Sequence, residues 1–388
     1  MLAIKISLAL LASGAFAARP FLNEPDTGIE LAIPDIQPRQ LPELDRMVGL
    51  PDFEWAARNY LPVENYTYYR NGAAGEWSYR NNLEIFQKFH LRPRAMVDIT
   101  NIEGTVNTTI LGYDFSAPFF ISPCARASIG HPDAELNLVK AAGAQNLLYI
   151  PSQAADMTIE EIADARQEKQ VIFQQMYLND NNTRTQVEFD RAKAAGVKAI
   201  VLTVDSAADG NRHRAARFGV GFAGSTYTYL TMSSHLGSEG GYDSRRAARL
   251  TGGISTVDDA KLAAENGVPG IILSNHGGRQ LDTTQSSLET ALEIHREDAE
   301  IFQKIEVLAD GGVRYGADAL KLLALGVKAV GIGRPFMYAN IFGEEGVEKA
   351  IKLMKHEVAI DAANLGVSDL KKINYHYVNW NSPGYYSG

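Results

Sequence analysis

From residue 118 onward, the sequence repeats one unit that consists of a short apolar segment, a polar loop and a helical segment. The apolar segments are at residues 119–123, 147–151, 171–177, 199–205, 270–274, 307–310 and 329–332. The helical segments are at residues 133–143, 158–167, 183–196, 257–267, 287–294, 315–326 and 344–365. Strands that alternate with helices along a chain form parallel sheets. Seven or eight such units predict a closed (β/α)8 TIM barrel, and an open doubly wound sheet is the alternative.

The overall composition is that of a globular protein without a strongly basic surface. Of the 388 residues, 45% are hydrophobic and 21% are charged, and the formal net charge is −9. This length suits one large α/β domain or two smaller domains. Because no long run of Lys or Arg occurs, we expect neither nucleic acid nor an anionic membrane as the main partner. The single cysteine, Cys124, excludes an intramolecular disulfide and a multi-cysteine metal site, and we expect no bound metal.

The first 17 residues have the pattern of a secretory signal peptide. Lys5 precedes the apolar segment 6–16, and small residues flank the predicted cleavage site. The apolar segment is too short for a stable membrane anchor. The alternative, a disordered or mitochondrial N-terminus, lacks support because no Arg-rich amphipathic pattern occurs. Three sequons, at Asn65, Asn107 and Asn181, predict glycosylation, so we expect a protein that is secreted or in the secretory pathway.

After the signal peptide, the chain divides into an arm and one large domain. Residues 18–50 are rich in Pro, Asp and Glu and lack a steady periodicity, which indicates an extended N-terminal arm. Helical patterns in residues 51–94 predict an N-terminal helical extension that precedes the first strand. We therefore expect residues 51–388 to form one barrel domain that includes this extension.

The C-terminal ends of the predicted strands carry residues that packing alone does not predict. In (β/α)8 barrels, catalytic residues lie at these ends. Here the residues are polar, small or charged: Cys124, Ala125, Ser152, Gln153, Gln175, Tyr177, Thr203, Asp205, His276, Arg279 and the segments 310–312 and 331–334. The sequence therefore predicts an active site at this end of the barrel.

Residues 274–280, Ser-Asn-His-Gly-Gly-Arg-Gln, form the most informative of these strand ends. The two glycines allow positive φ angles and a close approach to a ligand. His276 can exchange a proton near neutral pH, and Arg279 can bind a carboxylate through two parallel hydrogen bonds. This composition indicates an active-site loop. A strand-to-helix turn with a surface histidine is the alternative.

Two glycine-containing loops after the last two strands predict a phosphate site. Residues 310–314 read Asp-Gly-Gly-Val-Arg, and Gly333-Arg334 follows the next strand. Late strands of barrels commonly bind phosphate through backbone N–H groups and a helix N-terminus. The guanidinium of Arg334 can add a charge-assisted hydrogen bond to such an anion.

Further motifs, in consistent order along the chain, make the sequence similar to a known family. They include Tyr68-Tyr69-x-x-Gly72-Ala73, Gln175-Met176-Tyr177, Leu202-Thr203-Val204-Asp205, Ser274-Asn275-His276-Gly277-Gly278-Arg279-Gln280-Leu281-Asp282 and Ile332-Gly333-Arg334-Pro335. From about residue 50 to its end, the chain resembles the FMN-dependent L-2-hydroxy acid oxidases and dehydrogenases, such as glycolate oxidase, lactate oxidase and lactate 2-monooxygenase. The resemblance implies FMN as cofactor, a small L-2-hydroxy acid that is oxidised to the 2-oxo acid, and a homo-tetramer.

The resemblance also implies a role for each matching residue. His276 is expected to act as the base, and Asp205 to stabilise its protonated form. Contacts to the substrate are expected from Tyr68, Tyr177, Arg212 and Arg279, of which the two arginines hold the carboxylate. Contacts to FMN are expected from Pro123, Cys124, Ala125, Ser152, Gln175, Thr203, Ser274, Asp310, Gly311, Gly312, Val313, Arg314, Gly333 and Arg334.

Molecular oxygen is the expected oxidant of the reduced flavin. No haem-binding motif occurs in the sequence, and Ala125 resembles the oxidases of the family rather than the monooxygenase. Individual residues have structural alternatives: Asp205 as a helix N-cap, Tyr177 as a packed aromatic and Arg212 as an exposed arginine. The complete set in family order favours the catalytic interpretation.

One segment departs from the family pattern. Family members carry a strand that ends in Lys-Gly before the helix that here begins near residue 255, and this Lys stabilises negative charge on the reduced flavin. Gly252 takes the position of the Lys, and residues 243–251 contain no apolar strand. We therefore expect a barrel that is incomplete around its fifth strand. Arg246 and Arg249 are candidate substitutes for the missing charge.

This departure leaves three interpretations open. The chain is an active oxidoreductase with an altered flavin environment, a homologue that only binds FMN or serves as a scaffold, or a sequence that lacks a segment. Another phosphate-binding barrel enzyme, such as an FMN-dependent isomerase, is a weaker alternative. An isomerase of a diphosphate needs no pair of arginines for a carboxylate.

Overall fold

The computed structural model describes residues 27–179, 181–220 and 248–381, and describes side chains in the last range from residue 250 onward. The predicted signal peptide at residues 1–17 and the candidate Arg246 lie outside the described residues, as does the side chain of Arg249.

Eight parallel strands form the central sheet. They are β1 (Phe119–Ile121), β2 (Leu148–Tyr149), β3 (Phe173–Met176), β4 (Ala199–Thr203), β5 (Ala248–Ile254), β6 (Gly270–Leu273), β7 (Glu306–Asp310) and β8 (Ala329–Ile332). Their spatial order is β2-β1-β8-β7-β6-β5-β4-β3. A parallel bridge between Tyr149 and Ile172 joins the two ends of this order. The predicted (β/α)8 barrel is confirmed, with all seven strands that the apolar segments indicate.

The expectation of a missing fifth strand is wrong. Strand β5 pairs in parallel with β4 on one side and with β6 on the other. Its apolar content is low, because Gly252 and Gly253 stand where an apolar run is usual, and a register shift falls beside Gly253, whose φ is +94°. Backbone hydrogen bonds from two neighbours hold such a strand, although glycine weakens its intrinsic preference. The sequence pattern therefore missed a strand that pairing stabilises.

Fourteen α-helices occur in the described residues, most of them around the barrel. They are α1 (Ile29–Ala32), α2 (Leu50–Tyr60), α3 (Val63–Arg70), α4 (Trp77–Glu84), α5 (Glu135–Ala144), α6 (Ile159–Asp164), α7 (Asn182–Ala194), α8 (His213–Arg217), α9 (Val257–Glu265), α10 (Ser287–Glu297), α11 (Ile301–Lys304), α12 (Gly316–Ala324), α13 (Arg334–Ala339) and α14 (Gly343–Asn364). Helices α2 to α4 precede the first barrel strand, which confirms the N-terminal helical extension.

Side-chain caps define where several barrel helices begin. The hydroxyl of Thr158 accepts from the Glu161 N–H at the start of α6, and Ser286 accepts from Glu289 at the start of α10. Both glutamates bond back to the N-cap residue and complete a capping box. Asn181 caps α7 by accepting from the N–H groups of Thr183 and Arg184. These local signals place each helix directly after the loop that leaves a strand.

The interior of the barrel is filled with apolar side chains from all eight strands. The cluster comprises Phe120, Leu148, Ile150, Phe173, Ala199, Val201, Leu250, Ile272, Leu308 and Ala329, together with Ile110 and Phe115. The last two belong to an antiparallel hairpin, Thr108–Ile110 with Tyr113–Phe115, whose Leu111 N–H donates to Glu306 at the start of β7. The hairpin therefore covers the N-terminal end of the barrel, and the opposite end is the accessible one.

Helix α14 carries an acidic pair that makes stability depend on pH. Burial, together with the neighbouring Asp361, raises the pKa of Glu357 from 4.5 to about 7. Gly316 at the start of α12 packs against the backbone of Glu357, so this carboxyl lies at a helix–helix contact. A folded-state pKa above the unfolded value means that the folded state binds the proton more tightly. The stabilisation is complete below about pH 4.5 and is lost as pH rises through about 7.

Replacing Glu357 with glutamine is expected to reduce this pH dependence. Between about pH 5 and about pH 8, the wild-type protein should lose about 1 kcal/mol more stability than the variant, after allowance for the partial exposure of the carboxyl. Thermal unfolding at both pH values measures the difference. Glu345→Gln, an exposed glutamate on the same helix, is the control. Equal pH dependence in Glu357→Gln and the wild type would contradict the prediction.

Candidate active site

A layer of polar side chains lies above the apolar interior at the C-terminal end of the barrel. The Oγ of Ser152 donates to Gln175 Oε1 (3.2 Å), and Gln175 Nε2 donates to Thr203 Oγ1 (3.0 Å). On the other side, Ser122 Oγ donates to Asp310 Oδ2 (3.2 Å). Burial raises the pKa of Asp310, and hydrogen bonds from Ser274 and Ser122 oppose this shift. The predicted cofactor residues therefore form two hydrogen-bonded groups, Ser152–Gln175–Thr203 and Asp310–Ser274, the second of which includes Ser122.

His276 and Asp205 form a hydrogen-bonded pair at the edge of this layer. The Nδ1 atom of His276 is 3.0 Å from Asp205 Oδ1 and 3.2 Å from Oδ2. The side chains are 26% and 13% exposed. With the proton on Nδ1, the ring donates to the carboxylate and keeps Nε2 as a proton acceptor. Asp205 is not a helix N-cap, because α8 begins only at His213 with Arg212 as its N-cap residue.

The two residues of this pair reach their positions through unusual backbone geometry. His276 has a φ of +58°, and its N–H donates to Ser274 Oγ (3.0 Å). Gly253 in β5 packs directly against Asp205, since a Cβ at this glycine would lie 2.6 Å from the Asp205 Cβ. Gly253 is a site residue that the sequence motifs did not predict. Its signal was the Gly-Gly pair at the end of an unrecognised strand.

Three arginines, Arg212, Arg279 and Arg334, approach the same region, and none of them forms an ion pair with a carboxylate among the described residues. Arg279 Nη2 donates to the carbonyls of Tyr68 (3.0 Å) and Tyr69, and its Nε is buried without a partner. Arg212 donates to Arg279 O (3.1 Å) and to the side chain of Gln280 (2.9 Å). In the described part of the chain, no carboxylate lies within 4.0 Å of Arg212 or Arg279. An anionic ligand would complete this arrangement.

Burial and mutual repulsion affect the ionisation of these cations. Burial lowers the pKa of Arg279, and the charge of Arg212 lowers it further. The pKa of Arg334 falls to about 10, mainly because of burial and then because of Arg279. Both effects disfavour the charged forms in the absence of an anion. Binding of a carboxylate or a phosphate would reverse them.

The two predicted tyrosines lie beside the arginines. Burial lowers the pKa of Arg212, and the neighbouring Tyr68 and Tyr177 partly oppose this shift. The ring of Tyr68 also lies 5.4 Å from the guanidinium carbon of Arg126. Tyr177 is held through its N–H, which donates to Gln153 Oε1 (2.7 Å). The structure therefore brings the predicted substrate residues Tyr68, Tyr177, Arg212 and Arg279 together, and Arg279 lies on the same loop as His276.

The predicted phosphate loops have close backbone packing. Gly311 and Gly312 have φ angles of +101° and +83°, and a Cβ at Gly312 would overlap the carbonyl of Asn82. A Cβ at Gly333 would lie 2.9 Å from Cys124 Sγ. Arg334 donates to the carbonyls of Tyr69, Gly277 and Asn71 at 2.8–3.1 Å. The glycines let these two loops pack closely against Asn82 and Cys124. We term the two loops together with Arg334 the glycine cradle, the candidate phosphate site.

Not every predicted cofactor residue offers its side chain to this cradle. Arg314 is 9% exposed, and its guanidinium lies 3.6 Å from Glu54 and donates to the carbonyl of Val313. The Val313 side chain is buried in the apolar core. Pro123, Cys124 and Ala125 lie half-buried on the loop after β1. A reciprocal amide pair between Asn82 and Asn275 (2.8 and 2.9 Å), which sequence reasoning missed, joins α4 to the histidine loop.

Gly252 stands where the family resemblance places a lysine. A Cβ at this glycine would lie 3.5 Å from Val201 Cγ1 and 3.8 Å from Thr203 Oγ1, which is ordinary van der Waals contact. Gly252 faces the same side of the sheet as Thr203, at the polar layer. The barrel therefore has a complete fifth strand, and its backbone accommodates a Cβ atom at this point.

The three predicted glycosylation sites differ in accessibility. Asn107 and Asn181 are exposed, whereas Asn65 is half-buried and its Nδ2 donates to Ile129 O (3.3 Å).

Among the described residues, no group of three His, Cys, Asp or Glu side chains is arranged to hold a metal ion. No helix in the same residues has the length and apolarity to cross a membrane.

Residues 57–250 and 249–380 match the family model described as FMN-dependent dehydrogenase. The chain belongs to this family. The match covers the His276–Asp205 pair, the arginines and both glycine loops. The predicted family and barrel are thereby confirmed, and the family indicates FMN as cofactor. The polar layer, the glycine cradle and the unpartnered Nε of Arg279 fit a flavin phosphate and an anionic substrate.

Members of the family from several organisms are similar to this chain. The cytochrome-type L-lactate dehydrogenase of Wickerhamomyces anomalus is 33% identical over 362 residues, which cover 86% of this chain and 61% of that protein. The peroxisomal (S)-2-hydroxyacid oxidase GLO3 of Arabidopsis thaliana is 35% identical over 359 residues, which cover 86% of this chain and 97% of that protein. The flavin-binding domain of baker's yeast flavocytochrome b2 superimposes with a TM-score of 0.81 at 31% identity, and 88% of each chain is covered.

Proposed function

We propose that this protein is an FMN-dependent oxidoreductase that oxidises a small L-2-hydroxy acid to the 2-oxo acid. The observation that carries the proposal is the His276–Asp205 pair at the open end of the barrel. His276 shares a loop with Arg279, whose Nε is buried without a hydrogen-bond partner. A base and a cation without a carboxylate partner on one loop are what a 2-hydroxy carboxylate requires.

The residues of this chain have separate tasks in such a reaction. FMN, when bound, supplies the acceptor for the two electrons. His276 Nε2 takes the proton from the hydroxyl or the α-carbon, while Asp205 holds Nδ1–H and stabilises the imidazolium. Arg279 and Arg212 hold the carboxylate, and the Tyr68 and Tyr177 hydroxyls orient the substrate. Ser152, Gln175, Thr203, Ser274 and Asp310 would contact the cofactor, and Gly311, Gly312, Gly333 and Arg334 would hold its phosphate.

We infer that molecular oxygen reoxidises the flavin. Relatives that are described as oxidases, such as GLO3, are similar to this chain at up to 35% identity. Ala125 on the loop after β1 also supports an oxidase.

A secretory location and a homo-tetramer stay predictions. Asn107 and Asn181 are the sequons with the greater exposure.

The absorbance spectrum of the purified full chain, before and after anaerobic addition of L-lactate or glycolate, tests the proposal. We expect a flavin spectrum that bleaches with one of these acids and returns on admission of oxygen. A protein that retains FMN but is reduced by neither acid would contradict the substrate class. A protein that binds no FMN even after reconstitution would contradict the flavoenzyme assignment. Slow return under oxygen with fast return under cytochrome c would contradict the oxidase inference.

Replacing Gly252 with lysine is expected to accelerate flavin reduction. The structure accommodates a Cβ atom at this position at van der Waals distance from Val201 and Thr203. A cation there would stabilise negative charge on the reduced ring. The expected gain in the anaerobic reduction rate is about 10²-fold, by analogy with single donors to developing negative charge. Gly252→Met, of similar length without charge, is the control. An equal gain in both variants, or no gain with lysine, would contradict the prediction.

A further inference from the structure

A turn between α3 and α4, residues 71–76, contacts the three loops that carry the site arginines. The Ala74 N–H donates to Asn211 O (2.7 Å), one residue before Arg212. The Ala73 N–H donates to Gly278 O (2.8 Å), one residue before Arg279. The carbonyl of Asn71 accepts from Arg334 Nη2 (2.9 Å). This turn, which we term the N-terminal strut, therefore connects loops that are more than fifty residues apart in sequence.

Glu76 is the last residue of the N-terminal strut, and its carboxylate accepts four hydrogen bonds. Its Oε1 accepts from Arg214 Nε (2.8 Å) and its Oε2 accepts from Arg214 Nη2 (2.9 Å). The same carboxylate accepts from Arg70 Nη1 (3.2 Å) and from the Gly72 N–H (3.2 Å). The Glu76 side chain is 9% exposed, and hydrogen bonds and charge from Arg214 and Arg70 lower its pKa against the effect of burial. A bidentate pair of this kind restricts both distance and orientation.

Because Glu76 fixes the position of Arg214, it also restricts the position of Arg212, which lies two residues earlier in the chain. Both lie at the beginning of α8 (His213–Arg217), with Arg212 as the N-cap residue. A helix of five residues has little stability of its own, so its position depends on tertiary contacts. The Arg212 side chain then reaches Arg279 O (3.1 Å) and Gln280 (2.9 Å). Arg212 and Arg279 carry like charges that repel each other. They therefore stay in this arrangement only if the backbone of each is anchored.

We propose that Glu76 is a positioning residue that keeps Arg212 in place beside Arg279 by binding Arg214. Glu76 contacts neither of the two arginines of the carboxylate clamp directly. The inference rests on the proposed function, because it assigns those arginines to the substrate carboxylate. Glu76 thereby joins the N-terminal extension to the active site of the barrel.

The test uses the full chain loaded with FMN and the variant Glu76→Gln, which keeps the size of the side chain and removes its charge. We expect KM for the hydroxy acid that bleaches the flavin to rise about 10- to 100-fold, with kcat within about threefold of wild type. The Kd of propionate, a carboxylate that cannot be oxidised at the α-carbon in this way, should rise by the same factor in a flavin absorbance titration. FMN retention should be unchanged.

Two further variants separate positioning from general stability. Glu160→Gln breaks a bidentate pair with Arg191 (2.9 and 2.8 Å) on the outer face between α6 and α7, and should leave KM and the propionate Kd unchanged. Arg214→Ala should raise KM as Glu76→Gln does, and the double variant should add little, because both changes break one link.

The outcomes distinguish this inference from the proposed function. A KM and a propionate Kd in Glu76→Gln within twofold of wild type would overturn the inference, as would a loss of FMN or of kcat with KM unchanged. If the wild type were not reduced by any hydroxy acid, the proposed function would fail. The propionate titration would then still decide the role of Glu76, because it does not depend on turnover.

Discussion

Replacing His276 with asparagine is expected to lower kcat by about 10³-fold, because the substrate loses the group that accepts its proton. Asparagine keeps a hydrogen-bond donor toward Asp205 but has no nitrogen that can take up a proton near neutral pH. FMN retention should be unaffected, since His276 is not among the residues of the phosphate cradle. The rate of anaerobic flavin bleaching in a stopped-flow instrument, measured at saturating hydroxy acid, gives the effect directly.

His295→Asn is a matched control for this variant. His295 stacks on Tyr375 with ring centroids 4.3 Å apart and lies on α10, away from the polar layer. Burial lowers its pKa, so a structural role is sufficient to explain it. This variant should lose some thermal stability and keep its bleaching rate. A bleaching rate in His276→Asn within tenfold of wild type would show that another group takes the proton.

Replacing Arg279 with glutamine should lower kcat/KM for the hydroxy acid by about 10²- to 10³-fold. The variant removes two charge-assisted hydrogen bonds to the carboxylate, each of about 1.5–3 kcal/mol. The amide of the glutamine can replace only part of one of them. Arg279 is the arginine whose Nε is buried without a partner, so a bound anion would satisfy it. Steady-state kinetics and the propionate Kd measure the loss, and the His276–Asp205 pair should remain intact.

Arg334→Gln provides the matched comparison for Arg279→Gln. Both arginines are half-buried, and both donate to the carbonyl of Tyr69. Arg334 belongs to the glycine cradle, so its replacement should weaken FMN retention by about 10²-fold. Substrate affinity of the fraction that retains FMN should change little. The assignment of the two arginines to two different anions would be wrong if both variants lost the same property.

The barrel could be predicted from the sequence because seven of its strands are short apolar segments, a pattern that is local in the chain. The helices that follow them begin at capping residues such as Thr158 and Ser286, which are also local. The fifth strand has no such signature. Leu250 and Ile254 are buried, but the residues between them are Thr251, Gly252 and Gly253, and the pairing of both strand edges stabilises them. Stabilisation of this kind comes from neighbours more than fifteen residues away and leaves no periodic pattern.

The same distinction applies to the active site. His276 and Arg279 lie three residues apart in a loop of characteristic composition, so the sequence alone was enough to predict them as site residues. Gly253, Asn82 and Glu76 act through contacts with distant residues, namely Asp205, Asn275 and Arg214. No residue spacing predicts these contacts. They became visible only when the chain was folded.

By itself, the sequence determined the family, the barrel and the chemical groups that meet at its open end, because strand periodicity and loop motifs are local properties of the chain. The tertiary structure decided that the barrel contains a fifth strand, that Asp205 bonds to His276 rather than capping a helix, and that the N-terminal extension holds the arginine loops through Glu76. These features depend on backbone pairing, close packing at glycine and buried ion pairs, each of which joins residues far apart in sequence.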